Sequence, residues 1–317
     1  MPANVSNSAA SKPRRAVASV QLKSVLVATD FSPVSDKAVG YGAALARRYG
    51  ARFYLMNVVS SLGFTIVGPE SLAAATGLAS RDAKSLEAQL VRDGTLAGID
   101  HEFIVSSGEV WPELQSVIDS KQIELLVVGT HSRQGLGRLV LGSVAEQIFR
   151  HASCPVLTVG PNNPSRAETV IDASNRPILF ATDFSNESLS ALPYAVSYAN
   201  RRNTQLVLLH VLSPVPHVDG SRWYTAEDVT DMRKQAIEDA QRHLRELVTP
   251  NELAVEPLCI ARFGTPSECV VGSAEQFNSV GIVLGLKPRG EAISHLPWST
   301  AYQIVCSAKC PVLTVRQ

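Results

Sequence analysis

The sequence predicts an α/β protein made of two copies of one domain, each with a mainly parallel sheet covered by helices on both faces. The chain has 317 residues, about twice the usual domain size of roughly 150 residues. The run VLVATDFS at 25–32 returns as ILFATDFS at 178–185, and CPVLTV occurs at 154–159 and at 310–315. Between these landmarks, short apolar runs typical of buried strands alternate with amphipathic segments typical of helices.

Local signals justify each element of the first repeat. Ser32 is a helix-capping residue followed by Pro33, and Gly50 comes just after Arg47, Arg48 and Tyr49. The first helix is therefore predicted between Ser32 and Gly50. Apolar runs predict strands at residues 24–28, 53–59, 101–106, 124–128 and 155–159. Amphipathic segments predict further helices at about 70–96, 113–121 and 143–152.

The second repeat follows the same order, with a strand at 178–181, a helix ending at Arg202, a strand at 205–212 and a helix at 226–247. Residues 1–20 are rich in Ser and Ala and lack acidic residues, which predicts a disordered tail. Residues 161–176 contain turn-forming residues and no apolar period, which predicts a linker. The domains are therefore predicted at 21–160 and 177–317, named the first and second domain below.

Composition excludes several functional classes. Lys plus Arg and Asp plus Glu are 29 each, so the formal net charge is zero and no electrostatic drive toward nucleic acid or an anionic membrane is expected. No apolar run approaches the roughly 18 residues of a membrane span. Five cysteines without a CxxC pair predict reduced thiols rather than disulfides or a zinc site. We expect a soluble, cytoplasmic protein.

The loop after the fourth strand of the first domain is suited to an anion. It reads Gly129-Thr130-His131-Ser132, then nine residues, then Gly142-Ser143-Val144 at the start of the next helix. Glycine allows close backbone approach, and the free N–H groups of a helix N-terminus suit a phosphate. Ligands of parallel sheets bind at the carboxyl ends of the strands, where this loop is predicted to lie.

This loop resembles the nucleotide-binding signature Gly-x2-Gly-x9-Gly-Ser/Thr of the universal stress protein family. The resemblance covers both repeats and includes ATDFS after the first strand and CPVLTV in the fifth. It implies a five-stranded Rossmann-like fold of the adenine nucleotide α-hydrolase-like type. It also implies dimerisation through strand five and, in one subclass, binding of ATP.

Carried over by position, the resemblance assigns the adenine and ribose to Asp30 and Val58, the ribose to Gly129, and the phosphates to Ser132, Gly142, Ser143 and Val144. The implied cofactor is ATP, with Mg²⁺ bridging its phosphates. No residue is assigned as catalytic or as a metal ligand. Ser132 stands where the signature has its second glycine, and a non-glycine residue there would cost roughly 1 kcal/mol if a positive φ is needed.

The second domain departs further from the signature. Pro288 lacks a backbone donor where the signature has its second glycine, and Trp298 replaces the glycine before the helix. Asp183 and His210 remain at strand ends. The second domain is therefore predicted to bind no ATP in the family's way and to act as a pairing partner. Its strand five at 311–315 and the strand at 155–159 are predicted to pair within the chain, and the alternative that two chains exchange these edges stays open. Two chains are predicted to form a homodimer.

Two other functional classes stay open at this point. An enzyme related to ligases or nucleotidyl transferases is disfavoured, because the chain has no SGG-x-D-S pattern, no HxGH-type motif and no Walker lysine. A structural module with both sites empty is the second alternative. Whether a bound ATP would be hydrolysed slowly is not decided by the sequence.

Overall fold

The computed structural model describes residues 20–61, 68–130, 143–164, 175–213, 226–287 and 299–316. The first domain contains β1 (Ser24–Ala28), α1 (Pro33–Tyr49), β2 (Arg52–Ser60), α2 (Pro69–Arg92), β3 (His101–Gly108), α3 (Val110–Ser120), β4 (Leu125–Gly129), α4 (Ser143–His151) and β5 (Val156–Val159). The second contains β6 (Ile178–Ala181), α5 (Asn186–Leu189), α6 (Leu192–Arg202), β7 (Leu206–Leu212), α7 (Ala226–Arg245), β8 (Leu258–Phe263), α8 (Pro266–Gln276), β9 (Gly281–Leu286), α9 (Thr300–Ser307) and β10 (Val312–Arg316). The predicted α/β class is confirmed.

All ten of these strands form one sheet, in the order β3-β2-β1-β4-β5-β10-β9-β6-β7-β8. Pairing is parallel within each half, since each strand is followed by a helix that carries the chain back. The order changes direction beside β1 and beside β6, so each half has a topological switch point between its first and fourth strands. The carboxyl ends of those strands are where a ligand of such a sheet binds.

The end signals predicted for α1 are present in the structure. The Ser32 hydroxyl accepts a hydrogen bond from the Ser35 N–H, and Gly50 ends the helix with a φ of 65°. That left-handed conformation is easily adopted by glycine alone. The helix therefore begins and ends where its sequence indicates.

The single helix predicted to end at Arg202 is wrong, because the structure divides it into α5 and α6. Ser190 and Ala191 lie between the two helices as turn residues. Pro193 is in the first turn of α6 and has no N–H to donate to the carbonyl four residues earlier. Continuing α5 through this point would leave that carbonyl without its helical partner.

The core lies on both faces of the sheet. One face is a single apolar cluster that runs across both halves and includes residues of α1, α2, α6 and α7. On the other face, α3 and α4 cover the first half and α8 and α9 cover the second. Phe149 of α4 packs edge-on against Tyr302 of α9, with ring centroids 6.2 Å apart, so the two halves are also in contact on this face.

The junction of the two halves is the antiparallel pair β5–β10. Leu157 lies opposite Leu313, and Thr158 lies opposite Val312. Each half would otherwise end in an apolar edge strand with unpaired backbone groups, which is an aggregation hazard. In this arrangement each strand supplies the other's missing neighbour.

Residues just outside the predicted boundaries of the first domain also make hydrogen bonds to the two domains. The Ser197 hydroxyl donates to the carbonyl of Val20 at 3.0 Å, so the segment entering β1 contacts the second domain. Lys37 of α1 donates to the carbonyls of Pro161 and Asn163 at 2.7 and 3.0 Å. The start of the predicted linker is thus bound along α1, whereas 1–19 and 165–174 lie outside the described residues.

All five cysteines are free thiols. Burial raises the pKa of Cys310 to about 12, so its thiol stays protonated at neutral pH. Among the helices of the described segments, none is both long and apolar enough to span a membrane.

Leu157→Lys tests how much of the stability depends on the β5–β10 junction. Leu157 is 9% exposed, so an ammonium there would be desolvated without a partner. We expect the free energy of unfolding in urea to fall by about 3 kcal/mol or more. Val91→Lys is the control, since Val91 is 54% exposed. If both substitutions lowered the free energy of unfolding by the same small amount, the result would contradict a stabilising role of the β5–β10 junction.

Candidate functional site

The turn that follows β1 fixes the position of Asp30. The Thr29 hydroxyl accepts a hydrogen bond from the N–H of Phe31, and Asp30 Oδ1 accepts one from the N–H of Ser32, both at 3.0 Å. Phe31 has a φ of 59°, which is uncommon for a residue with a side chain. Asp30 therefore has the turn-stabilising role expected of an aspartate before a helix. That role leaves its carboxylate at the carboxyl end of β1.

Asn57 holds this turn from the neighbouring strand, and the sequence reasoning missed it. Its side-chain amide donates to the carbonyl of Thr29 at 2.8 Å, and the residue is buried. Thr29 and Ser35 are joined by a hydroxyl–hydroxyl hydrogen bond of 3.0 Å. The available signal was a single amide inside the apolar run RFYLMNVVS, because a buried amide needs a partner.

Gly129 ends β4 where the strand meets the start of α1. A Cβ at this position would lie 3.0 Å from the N of Ser35 and from the C and O of Val34. These are backbone atoms, which cannot move aside as a flexible side chain can. The glycine predicted to lie near a ribose is thus required by the packing of β4 on α1 as well.

These residues surround a cavity of about 250 Å³ at the carboxyl ends of β1 and β4. Four of the seven predicted site residues line it: Asp30, Val58, Gly129 and Val144. The other lining residues are Ala28, Thr29, Ser35, Val110, Leu114, Val128, Ala145 and Ile148. Ser132 and Gly142 lie outside the described residues, as does the side chain of Ser143, the residue at which α4 begins.

The walls of this cavity are mainly apolar and its carboxylate is Asp30. The neighbouring Asp36 has a raised pKa, first because the carboxyl is partly buried and second because Asp30 is close. Apolar walls suit a flat ring, and a carboxylate suits hydroxyl donors. The described residues of the cavity therefore combine apolar surface with one carboxylate, that of Asp30.

The second domain repeats the turn with the same hydrogen bonds. Thr182 accepts from the N–H of Phe184 at 2.9 Å, and Asp183 Oδ1 accepts from the N–H of Ser185 at 3.0 Å. Phe184 has a φ of 64°. His210 takes the place of Asn57, with Nδ1 2.8 Å from the carbonyl of Thr182. The turn is thus a property of the repeat and not of one domain.

Asp183 is ionised at neutral pH. Partial burial alone would raise its pKa, but hydrogen bonds from Ser185, Ser188 and the backbone outweigh this, and the pKa lies below its usual value. This carboxylate lines a second cavity of about 230 Å³. Pro288 and Trp298, the predicted departures from the signature, lie outside the described residues.

A family model described as the universal stress protein family matches residues 21–160 and 174–316. The chain belongs to this family. A universal stress protein of Mycolicibacterium smegmatis is 26% identical over 302 residues, covering 92% of this chain and 96% of that protein. One of Mycobacterium tuberculosis is 25% identical over 302 residues, covering 92% and 97%. The resemblance drawn from the motifs is confirmed.

A solved structure agrees with the fold. The crystal structure of a universal stress protein from Archaeoglobus fulgidus covers 94% of this chain and 99% of that chain, with a TM-score of 0.66 at 19% identity. This likeness extends over both halves and confirms two Rossmann-like domains. In the part of this universal stress protein that the structure describes, no group of three or more His, Cys, Asp or Glu residues could hold a metal ion.

A series of glycine substitutions tests the close approach of β4 to α1 and of β9 to α5. A Cβ on Gly285 would lie 2.1 Å from the carbonyl oxygen of Glu187, compared with 3.0 Å at Gly129. We expect Gly285→Ala to cost about 3 kcal/mol and Gly129→Ala about 1 kcal/mol in urea unfolding. Gly77→Ala is the control, because its space is open and alanine favours a helix by about 1 kcal/mol. The reverse order at 285 and 129 would contradict the described packing.

Proposed function

We propose that the first domain of this universal stress protein binds ATP, and that the second domain serves as its pairing or regulatory partner. The single observation behind this proposal is the 250 Å³ cavity that gathers Asp30, Val58, Gly129 and Val144 at the switch point. The adenine would lie among the apolar walls, and the Asp30 carboxylate would accept hydrogen bonds from the ribose. The volume is a little below the roughly 300–1,000 Å³ of sites that enclose a whole ligand, which suits a nucleotide whose phosphates lie outside.

The phosphates would be held where α4 begins. Val144 and Ala145 line the cavity at this end, so the first N–H groups of the helix are next to it. A helix N-terminus favours an anion through its free donors and its dipole. Ser132, Gly142 and Ser143 are proposed to complete the contacts, with Mg²⁺ bridging the phosphates rather than bound by protein ligands.

The second domain is proposed to pair with the first through β5 and β10, and whole chains are proposed to associate as homodimers. Pairing places both switch points on one sheet. An occupied first cavity could then affect the second domain through Phe149 and Tyr302, whose helices follow the two loops. We propose no catalytic residue, and ATP turnover, if present, would be slow.

The proposed asymmetry predicts the stoichiometry of ATP binding. Gly142-Ser143 stands at the start of α4 in the first domain, whereas Trp298-Ser299 precedes α9 in the second. Calorimetric titration with Mg²⁺ and ATP should give about one site per chain. Two equal sites would contradict the asymmetry, and no binding by the folded chain would favour a purely structural module.

Gly142→Trp tests the phosphate position directly. The indole would occupy the space through which phosphate approaches, so ATP affinity should fall by at least a hundredfold, or about 2.7 kcal/mol. Trp298→Gly, the matched change in the second domain, is the control and should leave that affinity unchanged. Unaltered ATP binding by folded Gly142→Trp would contradict the proposed loop.

A further inference from the structure

The second domain holds one end of a helix that belongs to the first domain. Arg316, the last residue of β10, reaches across the β5–β10 junction to α4. Its Nη2 donates to the carbonyl of Phe149 at 2.9 Å, and its Nη1 donates to the carbonyl of Arg150. Both carbonyls lie in the last turn of α4. One guanidinium therefore joins the C-terminus of a first-domain helix to a second-domain strand.

The position of Arg316 in β10 explains why its side chain reaches α4. Side chains alternate along a strand, so residues 312, 314 and 316 lie on one face of the sheet. Val312 belongs to the apolar cluster on the face that α8 and α9 cover, and α4 covers the same face of the first half. Thr314 lies opposite Val156, the first residue of β5. Because the two strands are antiparallel, Arg316 extends past this point toward the turn that links α4 to β5.

The chemistry of this contact suits both groups. The last four carbonyls of an α-helix have no N–H partner within the helix, and a cation beside them also interacts favourably with the helix dipole. The planar guanidinium can donate to two acceptors at once. Because α4 has only nine residues, Ser143–His151, it makes few internal hydrogen bonds. The contact with Arg316 therefore stabilises a helix end that would otherwise fray easily.

The repeat does not reproduce this contact in the other direction. The run CPVLTV is followed by Gly160 in the first domain and by Arg316 in the second. A glycine has no side chain with which to reach the last carbonyls of α9. The N–H of Gly160 donates instead to Asn163 Oδ1, within its own half of the sheet. At this pair of equivalent positions, the second domain holds a helix of the first, and the first domain does not hold a helix of the second.

The opposite end of α4 lies at the first cavity. Val144, Ala145 and Ile148 of this helix line the cavity. An α-helix of nine residues is a stiff unit roughly 13 Å long, so a tilt of its last turn also moves its first turn. Arg316 can therefore influence the N-terminal end of α4 without contacting the cavity itself.

We propose that Arg316 is a positioning residue for the ATP site of the first domain. It holds α4 at the C-terminal end, so that the first N–H groups of this helix stay directed at the phosphates. The proposal rests on the function proposed above, because it assumes that ATP lies in the first cavity. It adds a named contact through which the second domain contributes to ATP affinity in the first.

Arg316→Met tests this role, because methionine keeps an apolar stem and lacks the guanidinium. ATP with Mg²⁺ is titrated by calorimetry into the full-length variant at a temperature at which circular dichroism shows it to be folded. Its ATP affinity should fall about tenfold, equivalent to about 1.4 kcal/mol. Arg316→Lys lacks the planar fork and should show a smaller loss, and it carries the test if Arg316→Met does not fold. Arg262→Met is the control and should leave ATP affinity unchanged, since Arg262 is a half-buried arginine of β8 that donates to Gln276 of α8 at 2.5 Å.

Hydrogen exchange of the ATP-free chain separates positioning from a general loss of stability. In Arg316→Met the backbone amides of α4 should exchange severalfold faster and those of α9 at an unchanged rate, because local opening raises exchange only where the contact is lost. Unaltered ATP affinity in the folded variant, or equal changes of exchange in α4 and α9, would overturn the positioning role. A wild-type chain that binds no ATP would instead overturn the function proposed for the first domain, so the two failures are distinguishable.

Discussion

One turn, present once in each half, sets the geometry of both cavities. In the first domain Phe31 has a φ of 59°, a conformation that costs a residue with a side chain about 1 kcal/mol. The hydrogen bonds that Thr29 and Asp30 accept offset this cost. The turn that they stabilise lets α1 begin close to the end of β1. Because α1 begins so close to the end of β4, the last residue of β4 must be a glycine. The space beyond this glycine becomes a cavity.

The repetition of this turn separates what the fold requires from what a ligand requires. Asp30 and Asp183 both accept the N–H two residues ahead, so the presence of an aspartate is explained by the turn alone. The same reasoning applies to Gly129 and Gly285, which the packing demands. The evidence for ligand binding therefore comes from the open space that these residues enclose and from the loops that differ between the domains.

Much of the fold follows from the sequence because its signals are local and occur twice. The repeated strand, the Ser32 cap and Gly50 each predict the boundary of an element. In the structure, α1 begins after Ser32 and ends before Gly50. The break between α5 and α6 was missed because the effect of Pro193 depends on the hydrogen bond it removes, not on an apolar pattern. The residues of the first cavity were assigned by the family resemblance, whereas the parallel strands predict only that their carboxyl ends meet at one edge of the sheet.

The rest of the site could not be predicted, for a physical reason. Asn57 and His210 contact carbonyls in the turns that follow the adjacent strands, and no spacing within the sequence indicates a contact between neighbouring strand ends. The second cavity was missed for a similar reason, since Leu209, Val270 and Ile304 come from three different elements. The altered loop at 288–298 gives information about phosphate contacts alone. It says nothing about the space enclosed by the strands and helices before and after it.

The central claim is the proposal that, of two equivalent cavities on one sheet, the first alone binds ATP. A crystal structure of the full chain grown with ATP and Mg²⁺ tests this claim most directly. The account predicts adenine in the cavity lined by Asp30 and Val58, with the phosphates at the start of α4. A triphosphate bound in the cavity lined by Asp183, or ATP bound outside the first cavity, would contradict it.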